Sequence, residues 1–472
     1  MRKAVQHFID GQWVDSDGGA AYDVINPATA QPCATGVMGT RADVDRAVAA
    51  ARRAFDGFSR TSVDERLALL DAIIAGYKAR MPEIAQVISE EMGAPIGFAT
   101  MAQAPAGLGH FIAARKALAG FEFESDAGGA RVVHEGIGVV GMITPWNWPV
   151  NQIAAKVGPA LAAGNTIVLK PSEECPGNAI ILAEIIAEAG VPAGVFNLVQ
   201  GDGPTVGAAM AEHPGIDMIS ITGSTRAGIA VAQAAAATVK RVHQELGGKA
   251  PNLVLPGTDL AAMLPATVQG VIANSGQSCI APTRILVSAE QRAEAETVIR
   301  DIVAATPVSD PSEMGGHIGP LVNAHQFARV QDLIQSAIDE GATLLTGGVG
   351  RPEGHEAGYF VKPTVLSGVT PAMRIWREET FGPVATITEY DGIEEGVRLA
   401  NDTPYGLSAT VTGDPEAAKA VVPRLRAGLV TVNSWAPNGI VPFGGYGQSG
   451  NGREGGKWGL ADFMEVKTII GA

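Results

Sequence analysis

The chain has 472 residues, of which 46% are hydrophobic and 18% charged, with 34 Lys plus Arg against 49 Asp plus Glu, a net charge of −15. This length and composition exclude a disordered chain and call for a compact protein of more than one domain. The acidic excess argues against nucleic acid, whose phosphates need a basic surface, and no apolar run is long enough to span a bilayer. The best membrane candidate, Ala179 to Ala189, is broken by Glu184 and Glu188. Within Met1 to Asp10, Arg2 and Lys3 precede no apolar core or cleavage pattern, so the chain reads as cytoplasmic. Cys33, Cys175 and Cys279 are too far apart for a disulfide framework or paired metal ligands. The eight histidines form no metal-binding pair, and no metal is expected.

In chain order, Phe8 to Val14 reads as a hairpin with Asp10-Gly11 at its turn. Ala42 to Phe58 and Val63 to Arg80 show helical spacing. Pro82 to Met92 reads as a separate helix with proline at its entrance, and Gly97 to Leu118 as a long helix that Pro105 kinks or divides. Phe121 to Val133 is an extended excursion. From Gly138, apolar strands alternate with helices: strands Val139 to Ile143, Thr166 to Leu169, Val195 to Val199 and Met218 to Ile221, helices Val150 to Ala163, Asn178 to Ala189, Thr205 to Ala211 and Ala227 to Thr238. Such alternation implies a parallel, doubly wound sheet that binds ligands beyond the carboxyl ends of its strands.

A second run of the same kind starts at Asn252 to Leu255 and continues through Ile285 to Val287, Thr343 to Leu345, Val384 to Ile387 and Leu429 to Val432. A helix over Leu260 to Ser275 precedes a turn around Cys279. Asn433 to Gly456 is irregular and glycine-rich, and Asp462 to Ile470 reads as a final strand. The expectation is an α/β protein with two doubly wound parallel-sheet domains and a small β flap. Residues 1–117 and 137–247 form the cofactor domain, 248–447 the catalytic domain, and 118–136 with 456–472 the flap.

Three stretches carry the chemistry. In Gly276-Gln277-Ser278-Cys279-Ile280-Ala281-Pro282-Thr283-Arg284 a cysteine sits on a turn among small and polar neighbours, with room for a substrate to reach sulfur. A thiol needs a lowered pKa or a nearby base to act as nucleophile. Glu245-Leu246-Gly247-Gly248-Lys249 ends a strand with an acid, and Pro145-Trp146-Asn147-Trp148-Pro149 puts an amide on a strand-to-helix turn. Taken singly, Cys279 reads as a small buried hydrophobe, Glu245 as a surface glutamate and Asn147 as a helix cap. Together, and in this order, the stretches resemble the aldehyde dehydrogenase superfamily of the NAD(P)-dependent, hydrolytic type.

That resemblance covers essentially the whole chain. It implies Cys279 as nucleophile, Asn147 as an oxyanion donor and Glu245 as the base that activates water; Lys156 and Glu454 form a proton exit in some members, and a solvated ion pair reads equally well. For the cofactor, Ile221 to Gly228 runs a strand into a helix whose first turn, with Gly223 and Ser224, suits a pyrophosphate. Gly201 to Gly207 nearly matches a dinucleotide fingerprint, with Gly203 and Gly207 as candidates. By resemblance Lys170, Ser172 and Glu173 hold the adenosine ribose, Glu379 and Phe381 the nicotinamide ribose, and Ile143, Thr144, Trp146 and Leu246 complete the site. The Glu173 carboxylate favours NAD by repelling a 2′-phosphate, while Lys170 and Arg226 keep NADP open.

The expected substrate pocket is Trp148, Gln152, Ser278, Ile280, Trp435 and Phe443. No arginine lies in Thr144–Ala155 or Thr431–Gly447, which points to an uncharged aromatic or medium-chain aldehyde rather than a carboxylate-bearing one. Arg115, on the Gly97 to Leu118 helix, is an alternative source of a cation. Gly447 stands where the family often has lysine. By the same resemblance the flap belongs to a subunit contact, which implies a homodimer or homotetramer. Two other readings stay open: a CoA-acylating dehydrogenase, which needs no water-activating acid at Glu245, and a cysteine hydrolase without redox chemistry, which leaves the glycine turns unexplained.

Overall fold

The computed structural model describes residues 2–435 and 441–471. Residues 436–440 of the glycine-rich stretch therefore lie outside the described residues. Two large sheets dominate. The first has eight strands in the order Gly450–Asn451, Arg241–Glu245, Met218–Thr222, Val139–Ile143, Thr166–Lys170, Phe196–Leu198, Gln6–Ile9, Gln12–Asp15. Its five middle strands from Arg241–Glu245 to Phe196–Leu198 are parallel. The second has seven: Thr343–Thr346, Thr364–Ser367, Val384–Tyr390, Arg284–Ser288, Pro251–Val254, Ser408–Thr412, Leu429–Val432. All pair in parallel except the first.

Alternating side chains of each sheet enter different cores. Val140, Met142, Ile167 and Leu169 join the cluster beneath the long helices, while Val139, Ile143, Val168 and Ile219 face the opposite one. Leu253 and Leu286 divide from Val254, Ile285 and Val287 in the same way in the second sheet. Strands covered on both faces must be apolar throughout, which is why they read as continuous runs. The chain is thus an α/β protein built on two parallel sheets. A three-stranded antiparallel sheet joins Met464–Ile469 to Ala130–Gly136 and Glu124–Ala127.

The hairpin turn at Asp10-Gly11 is as read, with both residues at positive φ (54° and 75°), the geometry a two-residue turn requires. Other boundaries moved. Val63–Met92 is one helix with Pro82 inside it, not two. Interior proline costs about 3 kcal/mol, but Tyr77, Ile84, Val87 and Ile88 on either side all bury in one core, and that packing overrides the local break. At Pro105 the expected interruption is present as a π-helical turn, Ala99–Gln103, ahead of the helix Ala104–Ala119. Asp462 ends the helix Gly456–Asp462 instead of starting the last strand, which is Met464–Ile469. The strands Ala20–Asn26, Gln31–Met38, Thr364–Ser367 and Ser408–Thr412 were not anticipated, because short polar or threonine-rich runs give weak periodicity.

Candidate active site

The helix Leu260–Ile272 gives way to Asn274, Ser275 and Gly276, three successive residues at positive φ (55°, 55° and 72°). This reversal carries the chain to Cys279. At Gly276 a Cβ would lie 2.1 Å from the Gly382 carbonyl oxygen, so only glycine fits. A Cβ at Gly248 would lie 2.6 Å from the Cys279 carbonyl oxygen. The glycine end of the Glu245–Gly248 segment therefore abuts the cysteine turn. Cys279 is partly exposed and lines a cavity; Cys175 is buried and Cys33 is part-buried at the Val24 and Glu90 carbonyls.

Asn147 is 3% exposed and does not cap the following helix, whose cap position is Trp148. Its Nδ2 donates to the Gln277 carbonyl at 3.0 Å. That uses one of its two amide hydrogens and leaves the other for an oxyanion. Asn274 donates to the Asn147 and Gln277 carbonyls at 2.9 and 3.2 Å, and Gln103 donates to Asn274 Oδ1 at 2.8 Å. Gln277 accepts from the Val322 N–H at 3.0 Å. This amide lattice locks the two loops together. Its members Gln103, Asn274 and Gln277 were missed in the sequence, since a lone buried amide has no periodic signature. Trp148 Nε1 donates to Ser278 Oγ at 2.9 Å, placing both on the cavity wall.

Glu245 ends the strand Arg241–Glu245 and is 3% exposed. Neither carboxyl oxygen has a hydrogen-bond partner among the described residues. Burial pushes its pKa up to about 7, against the pull of His243. A carboxyl so placed is a base at neutral pH. Burial also pushes the Cys279 thiol up, helped by Glu379 and Glu245, so the resting group is the thiol. Lys156 Nζ lies 2.7 Å from Glu454 Oε1, both buried. The solvated ion pair that the sequence equally allowed is thereby excluded. Lys156 and Glu454 both act on the charge of Glu245.

The cavity encloses about 440 Å³ and is lined by expected residues Trp148, Gln152, Ser278, Cys279, Ile280, Trp435 and Phe443. Phe98, Ala102, His110 and Asn151 also line it and had not been assigned. Phe98 packs edge-on to Trp148 at 5.5 Å.

The expected cofactor residues gather at the carboxyl ends of the first sheet. Thr144 follows the strand Val139–Ile143 and its buried Oγ1 has no partner among the described residues. Lys170 Nζ donates to the Pro171 and Gly201 carbonyls at 2.6 and 2.8 Å and lies 3.4 Å from Glu173 Oε2. Ser172 Oγ accepts from the Glu174 N–H at 3.2 Å. Gly223 and Ser224 lead into the helix Thr225–Ala235; Ser224 Oγ accepts from the Ala227 N–H at 3.2 Å, leaving its hydroxyl hydrogen free. Leu246 packs on Gly228, where a Cβ would lie 2.5 Å from Leu246 Cδ2. Trp146 meets Phe381 edge-on at 5.4 Å.

Glu379 Oε1 accepts from the Gly248 N–H at 2.9 Å, and a Cβ on Gly247 would collide with that carboxylate. Gly203 and Gly207 bound a π-helical turn capped by Asp202; Gly203 faces open space and Gly207 nears Ile143 and Lys170. An unpartnered hydroxyl, a helix start and two carboxylates near closely approached glycines suit the ribose and pyrophosphate of a dinucleotide.

Comparison with known proteins decides the family. Residues 13–469 match the aldehyde dehydrogenase family. The chain belongs to the aldehyde dehydrogenase family. A curated relative from Pseudomonas, named 3-succinoylsemialdehyde-pyridine dehydrogenase, is 51% identical, covering 100% of this chain and 99% of that protein. A putative aldehyde dehydrogenase of Staphylococcus haemolyticus is 44% identical, with 100% and 99% covered. Among solved structures, a mutant of the Pseudomonas syringae aldehyde dehydrogenase AldC, in complex with NAD+ and octanal, superposes with a TM-score of 0.98 at 50% identity, covering 99% of this chain and 97% of that one. The Mycobacterium tuberculosis aldehyde dehydrogenase with NAD+ gives 0.97 at 37% identity, with 99% and 98% covered. This aldehyde dehydrogenase contains no cluster of metal-ligand type among its described residues, nor a described helix long and apolar enough to cross a membrane.

Proposed function

We propose that the protein oxidises an uncharged aromatic or medium-chain aldehyde to its carboxylic acid, with NAD as acceptor. The observation that carries the substrate class is the cavity wall. Among its described residues it holds aromatic and aliphatic side chains, two amides, Ser278 and Cys279, the Glu454 carboxylate, and His110, whose pKa burial lowers, but no lysine or arginine. Arg115, the cation considered from the sequence, is engaged with Asp71 at 2.5 and 2.9 Å on the exposed surface. A carboxylate-bearing aldehyde would enter that wall without a partner, which is costly. The relatives are consistent: one is named for a pyridine semialdehyde, another held octanal.

In this reading Cys279 Sγ bonds to the aldehyde carbon, and the proton leaving sulfur is taken up by Glu245 or solvent. Asn147 Nδ2 and the Cys279 backbone N–H stabilise the resulting oxyanion; one such donor is typically worth about 2.7–4 kcal/mol. Thr144, Lys170, Ser172, Glu173, Ser224, Glu379 and Phe381 would hold the dinucleotide, which would accept the hydride lost from the hemithioacetal carbon. Cys279 then carries a thioester. Glu245 removes a proton from water as its oxygen attacks the thioester carbon, releasing the acid and the thiol. The burial of Glu245 supports hydrolysis over transfer to a thiol. Following reduced nicotinamide with an aldehyde panel, with and without CoA, tests this. Turnover of octanal and pyridine or benzene aldehydes without CoA is expected; strict dependence on CoA would overturn it.

The preference for NAD rests on Glu173 and on the engagement of Lys170. Its ammonium is held by two carbonyls and Glu173 and is not free to meet a 2′-phosphate. Glu173→Gln should raise kcat/KM for NADP and lower it little for NAD. Equal use of both cofactors by the unmodified protein would contradict the assignment. The three-stranded flap, with Val466 62% exposed on its outer strand, supports a homodimer or homotetramer in which a partner chain covers that edge. Light scattering at micromolar concentration should give two or four times 48.5 kDa; a monomer mass would refute it.

A further inference from the structure

The reading of Glu245 as base leaves unexplained what keeps a carboxylate ionised with neither oxygen hydrogen-bonded. The strand Arg241–Glu245 answers it through its period of two, which puts His243 on the same face as Glu245. His243 is 1% exposed, and its Nε2 lies 3.7 Å from Glu245 Oε1. Its Nδ1 is bonded to the carboxylate of Asp462, the last residue of the helix Gly456–Asp462. The ring lies nearly parallel to Phe463, at 26° and 6.5 Å.

Gly452 makes the contact possible. It sits at φ 84°, and a Cβ there would lie 2.9 Å from the imidazole and 3.1 Å from Asp462 Oδ2. Asp462 is 24% exposed in its side chain, so the array runs from solvent to the buried Glu245. None of these residues was singled out by the sequence motifs.

We propose that His243, clamped by Asp462, is a positioning residue for the general base: as an imidazolium it faces the Glu245 carboxylate and keeps it ionised. The proposal rests on the reading of Glu245 as the water-activating group. The surroundings support it. Asp462 and Glu245 flank the ring on its two nitrogens. Lys156 and Glu454 form an ion pair beyond Glu245, and His110 beside them has its pKa lowered by burial. Arg241 on the same strand pairs with Glu465. Two carboxylates flank the imidazole directly, which raises its pKa to about 9 despite burial. Removing that cation should raise the pKa of Glu245, because an opposite charge within about 4–6 Å favours the ionised form by roughly 1–3 units.

The sign is definite. If Glu245 holds its proton to higher pH, thioester hydrolysis loses its base at neutral pH and recovers in alkali. His243→Gln should therefore move the acid limb of kcat upward by about one to two pH units, with KM for aldehyde and NAD nearly unchanged and the plateau at high pH retained. Asp462→Asn, an isosteric change at the surface end of the array, should move the limb the same way by a smaller amount. An unmoved limb in both variants, or a uniform loss at every pH, would overturn the proposal, since a merely structural role has no reason to depend on pH. A separate readout needs no turnover. The protonated-carboxyl band of Glu245 in difference infrared spectra, identified by its absence in Glu245→Gln, should titrate at higher pH in His243→Gln. A shifted band in a protein that oxidises no aldehyde would sink the dehydrogenase reading and leave the positioning role standing; an unshifted band would overturn the positioning role alone.

Discussion

Cys279→Ala is expected to abolish formation of reduced nicotinamide with every aldehyde, while the protein remains folded. The expectation follows from position. Of three cysteines, Cys279 borders the cavity, whereas Cys175 is buried against the Trp146 carbonyl and Cys33 donates to the Val24 and Glu90 carbonyls. Neither can replace it. Loss of a catalytic nucleophile costs on the order of 10⁶-fold in kcat, so the variant should fall below detection. The thiol lies partly open to the cavity, so its removal leaves no sealed void and the melting temperature should change little. Because burial beside Glu379 and Glu245 raises the thiol pKa, alkylation of Cys279 in the unmodified protein should be slow at neutral pH and faster in alkali. Cofactor reduction by Cys279→Ala at even a hundredth of the normal rate would show that sulfur is not the nucleophile.

Much of this architecture was legible because its strands are buried on both faces. Runs such as Val139–Ile143 and Thr166–Lys170 have no exposed position, and so no polar residue interrupts them. What escaped notice has equally physical causes. Ser408–Thr412 is fully buried yet reads as polar, its Thr410 and Thr412 hydroxyls being satisfied by Thr431 and Asn252. Pro82 reads as a helix entrance, and a continuous apolar face runs straight through it.

At the candidate site, Cys279, Glu245 and Asn147 were picked out as candidates from local motifs. Their supports were not. Gln103 reaches Asn274 across 171 residues and Asp462 reaches His243 across 219, so no local pattern could join them. His243 offered one usable signal: it stands two residues before Glu245 on a strand, hence on the same face. The readings of Asn147 as a helix cap and Glu245 as a surface acid fail on hydrogen bonding and burial, respectively.

The central claim is that Cys279 carries the acyl group and Glu245 releases it. Glu245→Gln preserves shape and burial but cannot take a proton from water. Mixed rapidly with NAD and octanal, the variant should produce a burst of reduced nicotinamide close to one per active site, followed by turnover slowed by the loss of general-base catalysis, about 10²–10⁴-fold. Mass spectrometry of the quenched enzyme should find octanoyl on the peptide containing Cys279. If Glu245 also draws the proton from the thiol, the burst will be slow at pH 7 and will quicken as the pH rises, with its amplitude unchanged. Unaltered steady-state turnover by Glu245→Gln, with no acyl group on Cys279, would contradict the account.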